Sequence, residues 1–490
     1  MLVSGSPTAL LDDSGVKRAD ALAEKAGIAL DTLVANVGIR VADVAATGLH
    51  AGARIAVWAG PGMNGADARK AAELLRGRFA VTVFAYGRAI DGDDCLPLDA
   101  YDGTAFDLVV DGLFGTGLRR PLDAVCSEAV QRLARSGSPV VSIDIPSGID
   151  ARTGAILGAA VRAQRTVTFE WRRLGHLLMP GRLHAGELIV AEIGIPDEVW
   201  ADVPAPADAN EPGLWLDRLR HPSSAGHKYD RGHVGVFAGP LEHSGASRLA
   251  AAAALRGGAG LVTLVGQRGS LAGLSAQVTA IMLRGCDGES DLATLLADAR
   301  FNAFVLGPGF GDVERARAFA TMILHAGRHL VLDADGISAF AQEPDRLFTA
   351  CHASEGGVVL TPHAGEFKRL FPDIAADPSL SKLDAARAAS RTSGAVVVSK
   401  GADTVIAAPD GRAAINATGT PWLATAGTGD VLAGIVAAQL AQGTPTFEAA
   451  CAGVWMHGRA AELFGPGLIS EDLPQMLSRV HTELDALRRG

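Results

Sequence analysis

Two consecutive α/β domains, each a largely parallel sheet covered by helices, form the fold class that this sequence predicts. Three observations carry the prediction. At 490 residues the chain exceeds what one hydrophobic core usually serves. Short apolar runs alternate with helical stretches in two separate series, the pattern of strands buried on both faces. Between the series, DVPAPADANEPG (residues 202–213) is proline-rich and aperiodic, as a connector would be. The expected domains are residues 1–215 and 216–490.

In the first series, residues 16–47 read as helix, with apolar positions at threes and fours. The runs RIAVWAG at Arg54, AVTVFAYG at Ala80, FDLVVDGLFG at Phe106 and PVVSIDIPSG at Pro139 read as strands, with helices over 66–76 and 122–135 between them. The second series contains GHVGVFAG at Gly232, GLVTLVG at Gly260, AFVLGPGFG at Ala303, HLVLDADG at His329, GGVVLTPHAGE at Gly356 and GAVVVSKGADTVIA at Gly394. Three helices, over 429–440, 446–464 and 471–487, close the chain. Ligands of such sheets sit beyond the carboxyl ends of the strands, where Gly, Asp and Ser collect in these runs.

A composition of 48% hydrophobic and 20% charged residues fits a compact globular chain. The formal net charge of −10 opposes non-specific binding to nucleic acid or anionic membranes, so neither is expected as a partner. Cys95, Cys126, Cys286, Cys351 and Cys451 are scattered and lack C-x-x-C spacing, which argues against a disulfide framework or zinc site. The start of the sequence lacks the features of a signal peptide, and no apolar run has the length of a membrane span. A cytoplasmic location is the expectation.

Two stretches carry chemistry. ATAGTGDVLAGIVAAQL (residues 424–440) sets a glycine-rich turn and one carboxylate, Asp430, at the start of an apolar helix. Unpaired N–H groups and the helix dipole attract phosphate there, and a carboxylate beside phosphate suits a base acting on the attacking hydroxyl. A plain helix N-cap is the competing reading. AGPGMNGADARKAAELL (residues 59–75) is a strand, glycine loop and helix whose Asn64, Gly65 and Ala66 amides could cradle phosphate. Asn64 with Asp67, Asp111, and Asp144 with Ser147 follow three different strands; such a set suits proton transfer by one carboxylate and a hard cation held by oxygen ligands.

GPGMNGADA, VVDGLFGTGL, SIDIPSGIDARTG and AEIGIP resemble the epimerase half of the bifunctional NAD(P)H-hydrate repair enzymes, over most of residues 16–200. The resemblance implies a Rossmann-like parallel-sheet domain that interconverts the R and S forms of hydrated NADH and NADPH. It implies K+ held by Asn64, Asp111 and Ser147. Substrate contacts would come from Met63, Asn64, Gly65, Ala66 and Asp67, from Gly115, Thr116, Gly117, Leu118, Arg119, Arg120 and Pro121, and from Asp144, with Asp144 transferring the proton. The sequence departs from the family's N-N-G-G-D-G loop through Met63, Ala66 and Ala68, whose methyls are expected to crowd a phosphate-binding backbone, and Arg173 replaces the usual lysine.

HKYDRGHVGVFAG, SGASRLAAAAALRGGAGLVTL, VLGPGFG, LDADG, LTPHAGEFKRL, VSKGADTVI and ATAGTGDVLAGIVAA, in this order, are similar to the ribokinase-like α/β dehydratase domain of the same enzymes. This implies dehydration of the S-hydrate with ADP or ATP and Mg2+, Asp430 taking the proton of the C6 hydroxyl. Lys400, Gly401, Ala402, Asp403, Thr404, Gly427, Thr428 and Gly429 would contact the nucleotide, while Ala246, Gly309, His363 and Asp430 would contact the hydrate. His363 as a plain helix-start histidine, and Asp333 and Asp335 as caps, are the duller readings. The small-molecule hydrate is the expected partner, with the chain as a homo-oligomer. A kinase for a small hydroxylated metabolite, or a dehydratase with a catalytically silent N-terminal module, are the alternatives.

Overall fold

The computed structural model describes residues 8–87, 95–221 and 226–489. The chain divides between Asp208 and Ala209 into two compact units. No described helix is long and apolar enough to cross a membrane.

The strands of the first unit are β1 (Ala9–Leu11), β2 (Arg54–Ala59), β3 (Ala80–Ala85), β4 (Cys95–Pro97), β5 (Leu108–Gly112), β6 (Val140–Ile143), β7 (Arg165–Phe169), β8 (Arg172–Arg173), β9 (Glu187–Ala191) and β10 (Ala207–Ala209). Seven form a parallel sheet in the order β4-β3-β2-β5-β6-β7-β9. In β2 every residue from Ile55 to Ala59 is buried, which is why that run reads as continuously apolar. Helices Asp13–Lys25, Leu30–Ala46 and Met63–Leu75 contribute apolar residues to one core cluster and helix Ala124–Ser136 to another. Trp58 anchors the second, edge-on to Tyr101 with ring centroids 5.0 Å apart.

Residues 16–47 are two helices, not one. Gly27, at φ +89°, turns the chain left-handed, and the Ile28 amide reaches back to Ala23 O across 3.0 Å. Those bonds satisfy the last carbonyls and close the first helix. The proline-rich stretch also differs from expectation. Leu10 in β1 pairs with Ala207 in β10, so part of the supposed connector is a buried strand. Just beyond it, the fully buried Trp215 indole donates to Asn210 Oδ1 at 3.0 Å.

The second unit contains β11 (His233–Phe237), β12 (Leu261–Gly266), β13 (Met282–Gly285), β14 (Ala303–Leu306), β15 (His329–Leu332), β16 (Val358–Leu360), β17 (Val396–Ser399), β18 (Val405–Ala407) and β19 (Ala413–Ile415). Their order is β13-β12-β11-β14-β15-β16-β17-β18-β19, parallel as far as β17 and antiparallel after it. β13 and β19 lie outside the runs read from the sequence; β13 is a half-exposed edge strand and β19 has three residues.

Helix Thr428–Ala441 is buried along its whole length except at Gly429 and Asp430. A helix apolar on every side belongs inside a core. It packs against helices Ser244–Arg256 and Thr446–Phe464. At Gly434 a β-carbon would stand 2.1 Å from Ala250 O, so only glycine allows this crossing.

Candidate active sites

In the first unit a cavity of about 580 Å³ opens beyond the carboxyl ends of the central strands. Its lining includes Met63, Asn64, Asp67, the 115–120 loop, Asp144 and Arg173. Gly65, Ala66 and Pro121 do not line it. The helix begins at Met63, with Gly62 as N-cap, and the Gly65 and Ala66 amides donate to Gly62 O at 3.0 and 3.2 Å. The expected amide cradle is therefore displaced: Gly65 and Ala66 N–H groups serve the helix, leaving those of Met63 and Asn64 as the open donors of the first turn. Ala68 is fully buried and, like Ala66, does not line the cavity. Gly65 is required by a close approach, since a β-carbon would fall 1.9 Å from Gly60 O.

Asp111 and Ser147 are in direct contact. The buried Asp111 carboxylate accepts from Ser147 Oγ (2.6 Å), Ser147 N (2.9 Å), Ser142 Oγ (2.9 Å) and Leu113 N (3.4 Å). Burial raises its pKa and these donors oppose the rise; none of them is a cation. The Asn64 amide donates to Ile143 O at 2.9 Å, and its Oδ1 is 2.6 Å from where a β-carbon at Gly115 would stand. This oxygen-rich set around an unneutralised carboxylate fits a hard cation. Among the described residues no group of three His, Cys, Asp or Glu side chains could hold a metal ion.

Asp144 sits at φ +64°, and its amide donates to Val167 O at 2.7 Å. Arg173 Nε donates to Asp144 Oδ1 at 2.9 Å and Thr168 Oγ1 to the same oxygen at 3.2 Å. His176 supports the loop from behind: Nδ1 accepts from Arg173 N at 3.0 Å, so Nε2 carries the proton and donates to Asp144 O at 2.7 Å. Burial pushes the His176 pKa down to about 4, so its ring is neutral. His176 and Thr168 had no sequence signal of their own. Asp67 also faces the cavity, its pKa pushed up to about 8 by burial and then by the charges of Asp144 and Asp20.

The second site surrounds the start of helix Thr428–Ala441. Gly427 is its N-cap, at φ +89°, and the first helical bond runs from Val431 N to Gly427 O at 3.2 Å. The Thr428, Gly429 and Asp430 amides have no acceptor among the described residues, which leaves an anion-binding turn. Thr428 Oγ1 ties this turn to Leu423 O (3.0 Å) and Thr425 O (3.1 Å), and the neutral His457 ring contacts Thr428 O at 2.9 Å.

Asp430 is half-buried. Burial and then Asp333 raise its pKa to about 7, while Lys400 opposes the shift. Lys400 Nζ donates to the buried Asp333 at 2.7 Å and stands 3.9 Å from Glu366. A β-carbon at Gly429 would lie 3.5 Å from Lys400 Nζ, so β17 and the helix turn meet here. Thr404 Oγ1 folds back on Gly401 O at 2.8 Å, and Asp403 engages Lys382. Gly401 and Ala402 complete that turn, whose polar side chains are thus already engaged.

His363 caps helix Ala364–Leu370: its Nδ1 accepts from the Gly365 and Glu366 amides while Glu366 accepts from His363 N. Its ring is nevertheless exposed, so capping and ligand contact are compatible. Glu366, buried between His363 and Lys400, was missed by the sequence reading although its spacing three residues after His363 is that of a capping box. Asp333 does not bond its own helix through its side chain; Asp335 accepts from Gly311 N at 3.0 Å. Ala246 and Gly309 lie together, the Ala246 methyl 3.4 Å from a β-carbon built on Gly309.

Residues 234–482 match the family profile described as NAD(P)H-hydrate dehydratase, and residues 91–175 the one described as YjeF-related protein N-terminus. The chain is 37% identical over 487 residues to a bifunctional NAD(P)H-hydrate repair enzyme of Gloeobacter violaceus, covering 92% of this chain and 93% of that protein. It is 35% identical over 473 residues to the one of Thermofilum pendens, covering 90% and 89%. The crystal structure of an ADP/ATP-dependent NAD(P)H-hydrate dehydratase from Bacillus subtilis, co-crystallised with ATP and Mg2+, is 26% identical with a TM-score of 0.47, aligned over 55% of this chain and 95% of that one. Both family profiles and full-length relatives point the same way: the chain belongs to the family of bifunctional NAD(P)H-hydrate repair enzymes.

Proposed function

We propose that this chain restores hydrated nicotinamide dinucleotides, its first unit interconverting the R and S hydrates and its second dehydrating the S form at the expense of ADP or ATP. The observation that carries the reading is Asp430, half-buried beside three open backbone amides at a helix start. Hydroxide is a poor leaving group and phosphate a good one. Asp430 takes the C6 hydroxyl proton as that oxygen bonds the terminal phosphorus and the P–O bond to the nucleotide breaks. The amides are oriented before charge develops, each worth about 3 kcal/mol when well placed. Phosphate then departs from C6 while a proton is lost from C5, restoring the double bond. Mg2+, when bound with the nucleotide, neutralises phosphate charge. Lys400 orients the phosphates, and Gly309, Ala246 and His363 contact the hydrate.

In the first unit Asp144 is the proton-transfer group, held by Arg173. K+ at Asn64, Asp111 and Ser147 would offset the buried Asp111 charge and pin the loops around it. A homo-oligomer acting in the cytoplasm completes this reading; light scattering of the purified chain tests its assembly state.

S-hydrate with ADP or ATP and Mg2+ should recover absorbance at 340 nm, and Asp430→Asn should abolish most of that recovery. Transfer that stops at a stable phosphoester would instead make the second unit a kinase. R-hydrate without nucleotide should yield S-hydrate; a chain inert in that assay carries a silent first unit. Replacing K+ by Li+ should slow only this second assay.

A further inference from the structure

Asp67 is 7% exposed and faces the first unit's cavity, yet its carboxyl has no hydrogen bond or ion pair among the described residues. The cations around the cavity are engaged elsewhere. Lys17 and Arg119 each reach Asp13 at 3.1 Å, Arg173 holds Asp144, and Arg120 lies at the exposed rim. Glu170 is occupied too, accepting from the Ile193, Gly194 and Ile195 amides. Asp20 and Asp144 therefore face Asp67 as like charges, and with burial they favour its protonated form near neutral pH.

Two carboxyl groups line one cavity from different elements, Asp144 with a cation against it and Asp67 without. Paired carboxyl groups held in such different surroundings divide acid and base work. We propose that Asp67 is a second catalytic residue of the epimerisation, an acid paired with Asp144 as base. The proposal rests on the epimerase reading of this cavity. Asp67 gives its proton to the C6 hydroxyl as the C6–O bond breaks, the ring nitrogen lone pair forms the C6=N bond, and water leaves. Water then adds to the opposite face of C6, the C=N electron pair returns to nitrogen, and Asp144 takes the proton of the added water. One proton has left Asp67 and one has arrived on Asp144; exchange with solvent through the cavity mouth resets the pair.

The test uses the full chain, R-hydrate without nucleotide, and water enriched in oxygen-18. The wild type should place one label at C6 per epimerisation above the uncatalysed background. Asp67→Asn should lower kcat at least ~100-fold, the usual scale of a general acid, with KM changed less than threefold. It should also lose the decline that the wild type shows above about pH 8, and Asp67→Glu should recover part of the rate. A circular dichroism spectrum and thermal melt like those of the wild type report intact folding of the first unit. An Asn variant as fast as an active wild type, one that loses only affinity while keeping the alkaline decline, or epimerisation without label overturns the proposal. A wild type inert on R-hydrate is a different result, which removes the epimerase reading itself.

Discussion

Lys400 donates to Asp333 across 2.7 Å, so the cation nearest Asp430 already has a buried carboxylate to neutralise. Asp430 gains only part of its stabilisation, and burial prevails. A base must be ionised to act. Dehydration kcat/KM is therefore expected to rise with pH to about 7 and to fall tenfold per unit below it, a limb that a pH profile under subsaturating hydrate measures.

The same shift predicts a stability effect. In the unfolded chain this aspartate ionises near its ordinary value of 3.8, and in the folded chain only near 7, so folding resists its ionisation between those limits. Asp430→Asn should then be more stable than wild type at pH 7.5, by ~2 kcal/mol after allowance for partial exposure, with the advantage gone by pH 4. Thermal melts at both pH values check the sign.

Removing the Lys400 ammonium leaves Asp333 buried and unpaired. Lys400→Met is expected to cost about 3 kcal/mol of stability and to move the acid limb of the dehydration profile to higher pH, since the group that lowers the Asp430 pKa is gone. Adding Asp333→Asn should return much of the stability; a double variant no better than the single one would separate the two residues energetically.

Gly434→Ala places a methyl against Ala250 O where 2.1 Å is available. The two helices must part, and loss of ~3 kcal/mol or more, with reduced dehydratase activity, is expected from overpacking of this kind. Gly443→Ala is a poor control because φ there is +84°; Gly429 is better left alone because of the site. Ala437→Gly, in the same helix and fully buried, should cost only about 1 kcal/mol.

His176 is buried and His457 half-buried, and both rings are neutral, each with its pKa pushed down to about 4. Unfolding lets each take a proton near pH 6.5, so stability falls as pH drops from 6.5 toward 4, by at most about 3 kcal/mol per ring. His176→Gln should flatten that loss for the first unit. Equal acid lability of wild type and variant, read by denaturant melts at pH 7 and 5, would falsify this role.

Much of both sheets was legible because buried parallel strands write continuous apolar runs, as Ile55–Ala59 and Val396–Val398 do. What escaped notice was mostly short or at an edge: three residues of β19, the alternating β13, β9 at the end of its sheet and β10 among prolines; β7 lies inside its sheet and was missed too, because Thr166 and Thr168 interrupt its apolar run. The helix break at Gly27 was hidden because apolar spacing continues across it. At the sites, Asp430, Asp111 and Asp144 stood out beside glycines and strand ends. Their supports did not. Thr168, His176 and His457 act through contacts with residues distant in sequence, which leave no local pattern, whereas Glu366 had only the capping-box spacing after His363 to mark it. The helix begins at Met63, three residues before the expected start, so the Gly65 and Ala66 amides bond within it and those of Met63 and Asn64 stay open.

The helix that begins at Thr428 is gripped by apolar neighbours along its length and crosses the Ser244–Arg256 helix backbone to backbone at Gly434. Such a seat leaves no slack for sliding or tilting. On the proposed reading, the electrical environment met by an arriving triphosphate or diphosphate is set during folding, and accommodation between nucleotides of different length falls to the ligand and to residues outside this helix.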